Sequence, residues 1–339
     1  MRDALPGKYC ILIFLALALI ITAGCLQSTQ KERTPVRVLA AGSLLLPLEN
    51  VETGFESLNP STDVQVEGHG SIQVIRQVTD LHRTADVVIV ADESLVPDMM
   101  YRKMEGQAQN YTDWYIPFAT NAMVITYTKK SRYADEITPE NWREVLARPD
   151  VRIGFSNPML DAAGYRALMV TMLAEHHYSD PGLFDRLIGT HFSPPLVMEQ
   201  ENGTRSVTLP PVIKPSDGKV AIRDGSIYLM SLLDVGGIDY AFEYRSVAEG
   251  QNFSYIPLPE EIDLSTASHS RDYAGAQVIL GFERFSSLGR VRTGNPIVYA
   301  ITVPNNAPHP ELAYRFMNFT LDAAQAGGNG WPQYLRRGA

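Results

Sequence analysis

"VRVLAAGSLLLPLENVETGFESLNPSTDVQVEGHGSIQVIRQVTDLHRTADVVIVAD" (residues 36–92) decides the fold. "VRVLAAG" reads as a strand that ends on glycine. "LLLPLENVETGFESLN" carries Leu44, Leu48, Val51 and Phe55 at helical spacing. "TDVQVEGHG" alternates apolar and polar residues and also ends on glycines. "SIQVIRQVTDL" places Ile72, Ile75, Val78 and Leu81 on one helical face. "ADVVIVAD" is a continuous apolar run, the signature of a parallel strand covered on both faces. The order β-α-β-α-β implies a doubly wound α/β sheet.

Downstream, the same alternation recurs with different residues. "NAMVITY" (121–127) and "VRIGF" (151–155) read as strands. "TPENWREVLARPD" opens with Thr138 as N-cap and Pro139 at the first helical position. A helix is expected over roughly 162–176 and another in "GSIYLMSLLDVGG", stopped by Gly236 and Gly237. "IDYAFEY" and "NPIVYAITVP" read as strands, and "HPELAYRFMNFTL" as a helix started by Pro310. Two such units give two doubly wound α/β lobes with a cleft between them. Open α/β sheets bind ligands beyond the carboxyl ends of their strands.

The N-terminus reads as a targeting segment. Arg2 and Lys8 precede "CILIFLALALII", an apolar stretch too short for a confident membrane span, and "TAGC" ends at Cys25. Residues 1–24 are expected to be a signal segment and 25–35 a polar tether. Cys25 is the candidate lipid-anchor residue, and an uncleaved N-terminal anchor is the other reading. Either way the body of the protein lies on the extracellular face of the membrane. Cys10 and Cys25 are the only cysteines, so the body has no disulfide and no thiolate metal or redox site. Removing residues 1–24 takes away Arg2, Lys8 and Asp3, leaving 27 basic and 37 acidic residues, a net charge of −10. That balance argues against a nucleic-acid partner. Four sequons begin at Asn110, Asn202, Asn252 and Asn318.

Several strand ends share one chemistry. Ser43 follows the first strand, Ser71 opens a helix in "GHGS", Asp161, Ala162 and Ala163 open another, and Gly225 and Ser226 a fourth. Helix N-termini offer free N–H groups and partial positive charge, and together they would suit a small anion. Taken singly, Ser43, Ser71 and Asp161 read equally well as N-caps, and Glu243 as an exposed strand-end charge.

In order along the chain stand "VLAAGSL", "GHGSIQVIRQVTDL", "ADVVIVAD", "DWYIPFATNAMVITYT", "NPMLDAAGYR", "IDYAFEYRSVA" and "GNPIVYAITVPNNAPHPELA". Together they resemble the archaeal-type tungstate/molybdate-binding proteins of ABC importers, over roughly residues 36–321. The resemblance implies the type II solute-binding fold, with lobe one at 36–127 plus 258–339 and lobe two at 128–257. It implies an oxyanion held by the Ser43 and Ser71 hydroxyls, by backbone N–H groups at Ala163 and Ser226, and by Tyr244. It further implies that Asp161 and Glu243 add to the tungsten or molybdenum itself and make it six-coordinate. A carboxylate beside a simple anion repels it. Sulfur and phosphorus do not readily accept extra donors, so the pair would discriminate against sulfate and phosphate.

Two departures are visible. Ala162-Ala163 stand where the family usually has Pro-Cys, which keeps a backbone N–H. His69 stands where a small residue is common, and reads as structural rather than ligating. The expected protein is a monomeric receptor without cofactor or catalytic activity, handing its anion to an ABC permease. The competing readings are the same fold tuned to another anion such as sulfate, and an extracellular hydrolase using Asp161 and Glu243 as a carboxylate pair.

Overall fold

The structure is a computed structural model that describes residues 33–281, 291–328 and 330–335. The signal segment, Cys25 and most of the tether lie outside the described residues. Among the described residues no helix is long and apolar enough to cross a membrane.

Strand β1 (Thr34–Ala41) passes through one 3₁₀ turn into helix α1 (Leu45–Leu58). Strand β2 (Thr62–His69) follows, then helix α2 (Ser71–Thr79), strand β3 (Val87–Val90) and helix α3 (Leu95–Met100). All four residues of β3 are fully buried, as its unbroken apolar run requires. β1 lies parallel to β3, with Val38 opposite Val87. The buried Asp86 carboxylate accepts from Arg37 N at 2.9 Å and His309 N at 2.8 Å. It thereby ties the first strand to a segment more than 200 residues away. Helix α2 ends at Thr79, before Leu81, which is 65 % exposed rather than part of the apolar face.

Strand β4 (Ile116–Thr120) belongs to the first sheet, and β5 (Met123–Tyr127) opens a second. Helix α4 (Trp142–Ala147), strand β6 (Ile153–Ser156), helix α5 (Ala162–His177) and helix α6 (Leu183–Leu187) come next. The expected start of α4 is displaced. Thr138 to Asn141 form a turn in which Asn141 Oδ1 accepts from Thr138 N at 2.7 Å, and Asn141 is the N-cap. Strands β7 (Met198–Glu201), β8 (Thr204–Thr208) and β9 (Val220–Arg223) precede helix α7 (Ile227–Asp234), strand β10 (Tyr240–Tyr244), helix α8 (Arg245–Gly250) and strand β11 (Ser254–Pro257). The chain closes with helix α9 (Ser270–Tyr273), strands β12 (Ala276–Ile279), β13 (Val291–Thr293) and β14 (Val298–Thr302), helix α10 (Pro310–Ala326) and strand β15 (Gln333–Tyr334).

Three sheets result among the described residues. The first has the order β15-β4-β14-β3-β1-β2, the second β11-β5-β10-β6-β9, and the third β13-β12-β8-β7. The first two are mixed: β14 runs antiparallel to β3 and β4, and β5 antiparallel to β10, while β10 and β6 are parallel. Strand β5 pairs within the second sheet, so the chain passes between sheets at Asn121–Ala122 rather than after Tyr127. The third sheet draws β7 and β8 from one side of the expected 257/258 boundary and β12 and β13 from the other. Its β7–β8 hairpin turns at Asn202-Gly203, both with positive φ (50° and 84°), as a two-residue hairpin loop requires. Of the sequons, Asn202, Asn252 and Asn318 are exposed and Asn110 is half-buried.

Helix α5 is buried on nearly all sides through Ala174, and its first turn packs tightly on the loop after β6. A Cβ on Gly164 would lie 2.2 Å from Ser156 O and 2.7 Å from Pro158 N. Gly164→Ala therefore destabilises the protein although alanine is the better helix former, by about 1–3 kcal/mol of overpacking. Calorimetric melting should show a fall of about 2–10 °C; an unchanged Tm would mean that this loop yields freely.

Candidate functional site

The ends of β1, β2, β3, β6 and β10 converge where the first two sheets face each other. Close approach is possible because Gly70 has no side chain. A Cβ there would sit 2.4 Å from Leu160 O and 2.7 Å from Asp161 Cβ, across the divide. The backbone of α2 then reaches over directly, with Gln73 N donating to Leu160 O at 3.1 Å.

Asp161 stands at the centre. It is the N-cap of α5, and its Oδ1 accepts from Ala163 N at 3.4 Å. Its Oδ2 accepts from Ser226 N at 3.0 Å. The Ser71 N–H and the Ser156 hydroxyl face the same carboxyl. The cap and the site are thus the same residue. Burial still outweighs these donors and raises the Asp161 pKa above the ordinary carboxylate value.

Glu243 is wholly buried at the end of β10, contrary to an exposed strand-end charge. Its Oε1 accepts from Tyr244 N at 2.7 Å, and its Oε2 has no hydrogen-bond partner among the described residues. The Ser226 hydroxyl lies close enough to favour the ionised form without meeting bonding geometry. Burial, with the nearby Asp161 charge added, pushes the Glu243 pKa up to about 8.

The hydroxyls gather on the same spot. Ser71 Oγ, wholly buried, accepts from Ala91 N at 2.9 Å. Ser43 Oγ lies 2.9 Å from Tyr299 Oη. Tyr244 Oη accepts from Arg166 Nη1 at 2.7 Å, and the Tyr244 and Tyr299 rings meet edge to face at 6.1 Å. All seven cleft residues expected from the sequence, Ser43, Ser71, Asp161, Ala163, Ser226, Glu243 and Tyr244, are thus brought to one buried region. The His69 Nε2 lies 3.7 Å from a Glu67 carboxylate oxygen.

Sequence reasoning did not single out Tyr299, Arg166, Asp92 or Asn121. Arg166 is the buried cation behind Tyr244. It donates to Ala91 O at 2.7 Å and lies 3.7 Å from Asp92, while Tyr165 donates to the same Asp92 carboxylate. Burial works against the Asp92 charge, but Arg166, Tyr165 and Ser94 hold its pKa below the usual range. The one available signal was spacing: Arg166 follows Asp161 by five residues and Ala162 by four, on a helix otherwise apolar along that face.

A family model described as bacterial extracellular solute-binding protein matches residues 36–326. A solute-binding protein of Methanoculleus marisnigri is 38% identical over 326 residues, covering 93% of this chain and 88% of that protein. A molybdate/tungstate-binding protein of Thermococcus kodakarensis is 39% identical over 315 residues, covering 89% and 84%. Among solved structures, the periplasmic molybdate-binding protein of Azotobacter vinelandii superposes with a TM-score of 0.55 at 15% identity, covering 89% of this chain and 99% of that one. The fold is the type II periplasmic binding fold.

The Glu243 pKa sets a pH dependence. The folded protein holds the proton up to about 8, whereas the unfolded chain releases it near the ordinary value of 4.5. Between these values the folded state binds more protons, so ligand-free stability falls as pH rises through that window. Glu243→Gln removes this contribution. Melting temperatures of the ligand-free proteins across the window should fall more steeply for the wild type; parallel curves would place the titration elsewhere.

Proposed function

Because the chain belongs to the bacterial extracellular solute-binding proteins, we propose that it captures tungstate or molybdate outside the cell and delivers it to an ABC permease. The observation that carries this reading is the burial of Asp161 and Glu243 together among N–H and O–H donors. The Ser43, Ser71 and Tyr244 hydroxyls take the oxygens together with the Ala163 and Ser226 N–H groups, which must first leave Asp161 Oδ1 and Oδ2. Asp161 and Glu243 donate to the central metal, which relieves the repulsion that a sulfate or phosphate would leave in place. The named binding activity of the Thermococcus kodakarensis relative supports the same ligand class. The relatives are binding proteins rather than enzymes, so the carboxylate pair is not assigned to glycoside hydrolysis. Tungstate or molybdate is the transported ligand, not a cofactor.

The two lobes of this reading are built on the first two sheets. The chain crosses between them at Asn121–Ala122 and again after Pro257, and Gly70 lies against Asp161 where they meet. Metal ligation needs both carboxylates ionised, so binding near pH 7 expels the proton that Glu243 holds. The receptor acts as a monomer anchored through its N-terminal segment.

Asp161→Ala and Glu243→Ala should each weaken tungstate binding at least about tenfold, the scale reached even when an indirect partner of a metal ligand is lost. Titration calorimetry with tungstate, molybdate and sulfate measures this. A tungstate Kd unchanged in both variants would remove the carboxylates from the ligand set and leave Asp161 as a cap worth about 1 kcal/mol.

The anchor rests on Cys25 in "TAGC". A single lipid chain holds a protein only marginally, so stable attachment takes two chains or the retained apolar segment. Mass spectrometry of membrane-extracted protein should find residues 1–24 removed and Cys25 modified. Attachment that survives Cys25→Ser with the apolar segment intact would assign the anchor to that segment.

A further inference from the structure

Hydrogen-bond direction around Ser43 is fixed from a distance, and the fixing point is the crossover between sheets. Asn121 lies between β4 and β5. Its Oδ1 accepts from Ala122 N at 3.0 Å and from Ser246 N at 3.3 Å. Both partners are backbone N–H donors, which only the amide oxygen satisfies, so the orientation of the amide is determined. Its Nδ2 must then donate, and it does so to Ser246 Oγ at 2.8 Å and to Tyr299 Oη at 3.2 Å. Among the described residues Tyr299 Oη has one further hydrogen-bond neighbour, Ser43 Oγ at 2.9 Å. Asn121 Nδ2 can only donate, so Ser43 Oγ is the acceptor left for the Tyr299 proton among the described residues. The Ser43 proton is left over.

We propose that Asn121 and Tyr299 are positioning residues that turn the Ser43 O–H into the cleft as an obligate donor to the bound oxyanion. This deepens the oxyanion reading above and rests on it. Two other hydroxyls follow the same rule independently. Ser71 Oγ accepts from Ala91 N, and Tyr244 Oη accepts from Arg166, so each keeps a proton to give. For Ser43 the rule is imposed by a side-chain relay rooted at the crossover. The donor is therefore aligned by the same backbone that sets the two sheets against each other.

The test is a double-mutant cycle on tungstate binding by titration calorimetry, using Ser43→Ala, Tyr299→Phe and the pair. Tyr299→Phe keeps the ring and its edge contacts with Phe118 and Tyr244 and removes only the hydroxyl. Ser43→Ala alone should weaken binding about tenfold or more, the scale of a hydrogen bond to a charged acceptor. Tyr299→Phe alone should cost less. In the Tyr299→Phe background, Ser43→Ala should cost about threefold or less, because an unaligned hydroxyl contributes little. Additive losses would overturn the relay, since a merely structural tyrosine lowers the melting temperature without coupling to Ser43. A Tyr299→Phe loss equal to or above that of Ser43→Ala would make Tyr299 the direct donor and overturn it as well. Should Tyr299→Phe fail to fold, Asn121→Asp keeps the side-chain shape but accepts from Tyr299 and reverses the relay. Tungstate affinity unchanged in that variant overturns the proposal. A wild-type protein that binds neither tungstate nor molybdate overturns both this inference and the oxyanion reading, whereas a binding wild type with additive variants overturns this inference alone.

Discussion

Two carboxyls, Asp161 and Glu243, are buried side by side with no cation in contact with either among the described residues. Burying one uncompensated carboxylate is costly, and burying two is more so. The protein meets the cost locally with donors. Asp161 collects the Ser226 and Ala163 N–H groups, and Glu243 collects Tyr244 N. The remaining cost appears as raised pKa values and as the unpartnered Glu243 Oε2. Everything else in the region follows from this constraint, because the donors must come from strand ends of both facing sheets.

Close approach of those sheets is the next requirement, and it depends on small residues and on charge kept at one remove. Gly70 lets the α2 backbone touch Leu160 and Asp161. Arg166 sits behind Tyr244 rather than beside the carboxyls. It binds Ala91 O and faces Asp92 at the end of β3, while Tyr165 reaches the same carboxylate. Its guanidinium thus has partners on both sides of the site, Ala91 O and Asp92 on one and Tyr244 Oη on the other. The immediate hydrogen-bond partners of the two carboxyls are therefore neutral donors.

The chain's local signals were legible where periodicity and burial agree. "ADVVIVAD" reads as a doubly covered strand because nothing in it tolerates solvent, and β3 is fully buried. The helix from Asp161 is legible because a capping carboxylate precedes a long run of helix formers. Signals failed where a pairing partner is remote. "NAMVITY" reads as a strand, but its membership of the second sheet depends on β10 and β11, more than 100 residues on. The Asn202-Gly203 hairpin carried a strong turn signal that went unread because the flanking strands are short and mostly exposed. Thr138 looked like a cap, yet one extra turn before Trp142 handed that role to Asn141.

By itself the sequence determined the alternation of strands and helices, the positions of the serines and carboxylates at strand ends, and the absence of thiol chemistry in the body of the chain. These follow from residue spacing and composition, which are local properties. Only the tertiary structure decided that Asp161 is cap and site at once, that Glu243 is buried rather than exposed, and that Tyr299, Arg166 and Asn121 surround them. Hydrogen-bond direction and carboxyl pKa depend on groups brought together from Ser43 to Tyr299, 256 residues apart. No window along the chain contains that distance, so the chemistry of the site exists only once the sheets have met.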